Sequence, residues 1–151
     1  MQLSEHFTLE ELCHSQEASR RGIANDPNPA TIEHMRQLCL HVLEPLRAQF
    51  GPFVPSSCFR SPTLNAAIGG AKTSQHMEGK AADIIIPGHS LAEVYNWITA
   101  NLPFDQVIRE FPPGGWVHVS YDAAQQRGTR LLAVLEAGKA VYHPQAGPVA
   151  V

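Results

Sequence analysis

Prolines and glycines cut this chain into short pieces. Twelve of its 151 residues are proline and 11 are glycine, and a proline inside a helix removes a hydrogen bond and crowds the preceding turn. A long helical bundle is therefore excluded, and many short elements with sharp turns are expected. The length suits one domain, and a chain of this size buries about 68–70% of its unfolded surface without staples. An apolar fraction of 44% excludes wholesale disorder. The net charge is −3, with no long block of one sign, which argues against a phosphate-backbone partner such as nucleic acid. Cys13, Cys39 and Cys58 are odd in number and widely spaced, a poor disulfide framework, so they read as small buried hydrophobes. No apolar run approaches the roughly 18–20 residues of a membrane span. The start, Met1-Gln2-Leu3-Ser4-Glu5-His6, lacks the basic and apolar regions of a signal peptide. Cytoplasmic synthesis is expected, with release or export needed for any action outside.

Capping signals place the helices. Thr8-Leu9-Glu10-Glu11 has the form of a capping box opening a short helix to about Cys13. Asn28-Pro29 opens a longer one. In it Ile32, Met35, Cys39, Val42, Leu43 and Leu46 recur at helical spacing to about Phe50, and Pro45 should kink the last turn. Ser61-Pro62 starts a short helix to Ala67, and Ser90-Leu91-Ala92-Glu93 starts another. Strands are expected at Phe53–Phe59, Ala81–Ile86, Asp105–Phe111 and Trp116–Tyr121, the last two joined around Pro112-Pro113-Gly114-Gly115. Arg130–Glu136 and Ala140–His143 form a further hairpin. Helices first and paired strands later give an α+β fold, a single domain with a mostly antiparallel sheet and amino-terminal helices packed on it.

Asp83 is the oddity, a carboxylate inside Ala81-Ala82-Asp83-Ile84-Ile85-Ile86. Such a charge is costly unless paired or bound to metal. His76 lies seven residues upstream, before the turn that Gly79 permits, and His118 stands between valines in Trp116-Val117-His118-Val119-Ser120. Two histidines and an aspartate leave one zinc position open, the layout of a catalytic site. Buried Asp–His hydrogen bonding explains much of the same pattern, and spacing alone does not separate the two. His34 and His41, seven apart on one helix, read as ordinary polar-side histidines, as do His6, His14, His89 and His143.

The run Ser74-x-His76-x-x-Gly79-x-Ala81-x-Asp83, followed by Trp116-Val117-His118, resembles the zinc D-alanyl-D-alanine carboxypeptidase family, peptidase M15. Phe59-Arg60-Ser61-Pro62-x-x-Asn65, Gly69-Gly70, Phe7-Thr8-Leu9-Glu10-Glu11-Leu12 and Leu43-Glu44-Pro45-Leu46-Arg47 look like its phage, prophage and bacterial branch. The resemblance covers a motif-bearing core of about 3–121, leaving a terminal hairpin at 122–143 and a tail at 144–151. It implies a hedgehog/DD-peptidase-like fold, one Zn2+ held by His76, Asp83 and His118, and peptidoglycan stem peptide as substrate. The bond cut is either the terminal D-Ala-D-Ala or an internal one of the L-Ala-D-Glu type. Phage origin would fit action on the wall after release. A zinc-holding binding module or phage structural component without turnover is the alternative. Monomer is the default state.

Many relatives carry a glutamate three residues before the last histidine ligand, where this chain has Gly115. Glu110 is the substitute general base, with Glu78 the weaker candidate. Glu110 reaches the metal if it pairs with His118 across a three-residue Pro113-Gly114-Gly115 loop, and points away if a four-residue loop puts Arg109 there. Arg60 is expected to bind substrate or steady the transition state, the other reading being a surface arginine paired with Asp105 or Glu78. Ser74 either lies near substrate or caps its loop, Gln75 is placed along the cleft, and Trp116 packs beneath the site or walls the groove. The terminal hairpin either shapes that cleft or only completes the sheet.

Overall fold

A computed structural model describes all 151 residues. Its first half is helical. At α1 (Leu9–Cys13) the Thr8 hydroxyl accepts from the Glu11 N–H while the Glu11 carboxylate accepts from the Thr8 N–H, the reciprocal box expected. An unforeseen helix follows, α2 (Gln16–Arg21), capped by Ser15. Only Ala18 of α2 is buried, so no apolar periodicity advertised it.

The long helix begins at its Asn28 cap as α3 (Pro29–Leu38), widens into a π turn at Cys39–Leu43 and continues as α4 (Glu44–Phe50). Pro45 does disturb it, but earlier than the last turn. In a regular helix the proline ring collides with the carbonyl four residues back, here His41. The π turn, in which the Glu44 N–H bonds the Cys39 carbonyl five residues back, opens the helix there. Met35, Leu38, Cys39, Val42, Leu43 and Leu46 are completely buried along one face. Each large apolar side chain among them contributes roughly 1.5–3 kcal/mol by leaving water.

Five strands form one sheet in the order β1-β3-β2-β4-β5: β1 (Ala81–Ile84), β2 (Gln106–Glu110), β3 (Trp116–Ser120), β4 (Thr129–Glu136) and β5 (Lys139–Pro144). All neighbours are antiparallel except β2 and β4. The fold is α+β, as the element pattern implies. The Phe53–Phe59 strand is a correction. That segment forms a single bridge, Ser57 to Asp83, beside β1. Pro52 and Pro55 lack the N–H groups a longer ladder needs.

Alternation along the strands sorts the residues onto two faces. Ala82, Ile84, Val107, Val117 and Val119 join the helices, including α6 (Leu91–Asn101), in the apolar core. Asp83, Ile108, Glu110, Trp116 and His118 occupy the other face. α5 (Pro62–Ala67) and a 3-10 turn (Gln75–Glu78) lie before β1 in the chain. No helix is long and apolar enough to cross a membrane.

Candidate metal centre

Asp83 and His118 are directly opposed across β1 and β3. His76 arrives from the 3-10 turn, which Gly79 closes in the left-handed region at φ 72°. A Cβ on Gly79 would also lie 2.7 Å from the Thr31 carbonyl oxygen, so only glycine lets this turn seat against α3. The His76 Nδ1 lies 2.6 Å from the Cys58 carbonyl. A carbonyl only accepts, so Nδ1 carries the proton and Nε2 is left facing the site. The Asp83 Oδ1 stands 3.3 Å from the His76 Nε2 and 3.2 Å from the His118 Nδ1. One donor atom from each of the three residues lies within 4.8 Å of the others.

That geometry fits a metal better than a plain hydrogen-bond network. With Nδ1–H donated to Cys58, a bare Nε2 would present a lone pair to the carboxylate oxygen. The contact is repulsive unless a second proton or a cation lies between them. Two imidazole nitrogens and one carboxylate oxygen are a donor set suited to zinc, with one position open. Burial would raise the Asp83 carboxyl, but His76 and His118 outweigh it and hold it well below the ordinary carboxylate range.

Neither hairpin register expected from sequence occurs. Glu110 pairs with Trp116 and Ile108 with His118, so five residues, 111–115, make the loop. In the tighter register Pro112 would face Trp116 in the ladder with no N–H to give. Gly115 instead packs on the Glu110 carbonyl, where a Cβ would sit 1.7 Å from the oxygen. The slip is two residues, and a slip of two preserves the face. Glu110 therefore still shares the face of His118, and its Oε1 is 4.0 Å from the His118 Nδ1. Burial pushes its carboxyl up to about 7, with Asp83 adding to the rise and His118, Arg60 and Trp116 opposing it. A carboxylate titrating near neutrality is suited to moving protons.

Arg60 points into the same site. It pairs with neither Asp105 nor Glu78: Asp105 is held by Arg127 and Gln75, and Glu78 meets Lys80. Its one side-chain hydrogen bond goes to the Ser74 hydroxyl at 3.4 Å, its backbone N–H donates to the His76 carbonyl at 3.1 Å, and its buried Nε has no partner. Burial draws the guanidinium pKa down against the fields of Asp83 and Glu110. Ser74 caps the 3-10 turn, accepting from the His76 N–H at 3.2 Å, and so links Arg60 to a candidate ligand. Gln75 donates to Asp105 at 2.9 Å and lines the cleft. Trp116 stands edge-on to Phe111, and its buried indole N–H makes no well-formed hydrogen bond but lies near enough to the Glu110 carboxylate to favour its charged form.

The remaining histidines do not converge. His34 meets the Glu78 carbonyl and His41 stacks on Tyr121, while His6, His89 and His143 face Glu44, Glu93 and Glu136. A cleft of about 970 Å³ holds the triad, Glu110 and Arg60, and reaches Leu131 and Tyr142 of the terminal hairpin. A second cavity of about 580 Å³, running to Ser15 and Gln16, meets it at Arg60, Ile68, Asp83 and Trp116. Sequence reasoning missed Arg127 and Tyr142, because no local pattern ties either to the motif residues.

Comparison with known proteins yields one finding. A search of curated proteins gives no match. The family model described as Peptidase M15 matches residues 5–120, which span every element from α1 to β3 and thus His76, Asp83, Glu110 and His118. With more than half its length matched and that constellation inside the matched stretch, the chain belongs to the peptidase M15 family of metallopeptidases.

Proposed function

We propose that the protein is a zinc-dependent peptidoglycan peptidase that hydrolyses an amide bond in the cell-wall stem peptide. The supporting observation is the convergence of His76, Asp83 and His118 with Glu110 on one sheet face, within a family of metallopeptidases. Zinc held by His76, Asp83 and His118 would polarise the scissile carbonyl and lower the pKa of a water.

The chain's own groups do the rest. Glu110 takes the proton of the attacking water and delivers it to the leaving amine. Arg60, with its unpartnered Nε, steadies negative charge on the substrate oxygen or holds a substrate carboxylate. Ser74 orients Arg60, and the Cys58 carbonyl fixes the tautomer of His76. The orientation of Glu110 argues against a zinc-holding module without turnover.

The two cavities meeting at Arg60, Asp83 and Trp116 favour an internal bond over a terminal one. A carboxypeptidase needs room for only one residue beyond the scissile bond, whereas here a second cavity of about 580 Å³ adjoins the cleft at Asp83. The test is mass spectrometry of purified wall fragments incubated with zinc-loaded protein, beside a chelated control. A new amino terminus within the stem supports the endopeptidase, and loss of terminal alanine the carboxypeptidase. No zinc-dependent cleavage across several wall chemistries would sink the peptidase reading.

A further inference from the structure

β4 and β5 lie beyond the residues that the family model matches. They nonetheless continue the face that carries the site. Ala133 of β4 stands beside Glu110 of β2, and Tyr142 of β5 stands opposite Ala133. Trp116, Glu110, Ala133 and Tyr142 thus form one row across four strands, and such a row projects to one side of a sheet. Two strand spacings of about 4.8 Å separate the backbones of Glu110 and Tyr142. Only the methyl group of Ala133 lies between, and a phenol is long enough to cross it.

Tyr142 and Leu131 line the cleft that also holds Glu110 and His118. Tyr142 is half exposed, and the charges of Glu110 and Asp83 reach it. Burial and those charges raise its pKa, so the hydroxyl remains a donor. The strand that presents it is pinned. The Gln145 N–H donates to the Arg130 carbonyl at 3.0 Å, and the Gln145 side chain accepts from Arg109 at 3.1 Å. Asn96 on α6 clasps both backbone groups of Val149.

We infer that Tyr142 contacts the substrate. Its hydroxyl donates a hydrogen bond to a carbonyl oxygen of the peptide bound beside Glu110, and its ring and Leu131 wall that subsite. This rests on the peptidase reading above. The experiment compares wild type, Tyr142→Phe, Tyr142→Ala and Leu135→Ala for kcat, KM and zinc content on a stem-peptide substrate. Leu135 lies on the same hairpin and is exposed.

Tyr142→Phe should raise KM about tenfold at near-constant kcat, the value of one lost hydrogen bond. Tyr142→Ala should raise it further, and Leu135→Ala should match wild type. All should hold zinc equally. As a binding readout, the same peptide is titrated calorimetrically onto Glu110→Gln protein with and without Tyr142→Phe, and a tenfold weaker Kd is expected. Wild-type KM and Kd in an active enzyme lacking the hydroxyl overturn this inference alone. A wild-type protein that neither cleaves nor binds stem peptide overturns the peptidase reading and this inference with it.

Discussion

Replacing Gly115 by alanine tests whether the β2–β3 loop sets the position of Glu110. The added Cβ would lie 1.7 Å from the Glu110 carbonyl oxygen and 2.8 Å from its carbonyl carbon. Both are backbone atoms, so no side chain can swing aside. Reaching even a tight 3.0 Å contact requires the oxygen to retreat by about 1.3 Å. Forced backbone distortion and overpacking of this kind cost about 3 kcal/mol, which for a chain near 150 residues lowers Tm by roughly 6–12 °C. The displaced residue carries the carboxylate that stands 4.0 Å from His118. A misplacement of about 1 Å at a reacting group lowers the rate about 100-fold. Gly115→Ala should therefore fold, keep its zinc, melt early and lose about two decades of kcat. Gly114→Ala is the control, since a Cβ there meets nothing within 4 Å. Calorimetry, metal analysis and a stem-peptide assay read the three quantities. Wild-type Tm and kcat in Gly115→Ala would refute the argument that this glycine positions Glu110.

Asp83→Ala removes the oxygen shared by both histidines and should abolish tight zinc binding in metal analysis after dialysis; full zinc content would dismiss the triad. Glu110→Gln should retain zinc while kcat drops by about 10²–10⁴, and an unchanged rate moves the base elsewhere. Hydrogen bonds from Arg127 and Gln75 lower the buried Asp105 carboxyl to about 2. A depressed pKa stabilises the fold above the unfolded value near 4 and loses that effect as pH falls towards about 2. The Tm gap between wild type and Arg127→Ala should thus be full at pH 6 and shrink by pH 3. A gap that stays constant by calorimetry contradicts the pairing.

The triad was legible because a carboxylate in an apolar strand needs a partner and because the motif around His76, Asp83 and His118 resembles that of a zinc peptidase family, where spacing alone left a plain Asp–His pairing open. Face parity was legible too, since it depends only on counting residues. Register was not. Two registers two residues apart give Glu110 the same face, and the choice turned on where Pro112 lacks its N–H and where Gly115 meets a carbonyl. The Phe53–Phe59 run has strand composition, yet Pro55 within it and Pro52 just before it supply no N–H, and it makes one bridge. α2 was invisible because it buries a single alanine. Tyr142 could not be placed because the parallel pairing of β2 with β4 is a contact that no local sequence pattern names.

The hydrogen bond that His76 Nδ1–H donates to Cys58 is accepted by the peptide carbonyl, and the sulfur takes no part in it. Burial raises the thiols of Cys13 and Cys39 to about 11 and about 12, and lifts that of Cys58 well above its ordinary value. Thiolate is the form that reacts with oxidants and alkylating agents. All three sulfurs are free, and the candidate ligands and proton carriers are nitrogen and oxygen atoms. The chemistry proposed for this chain is thereby uncoupled from redox poise, and it would run alike in a reducing cell interior and on an oxidising wall.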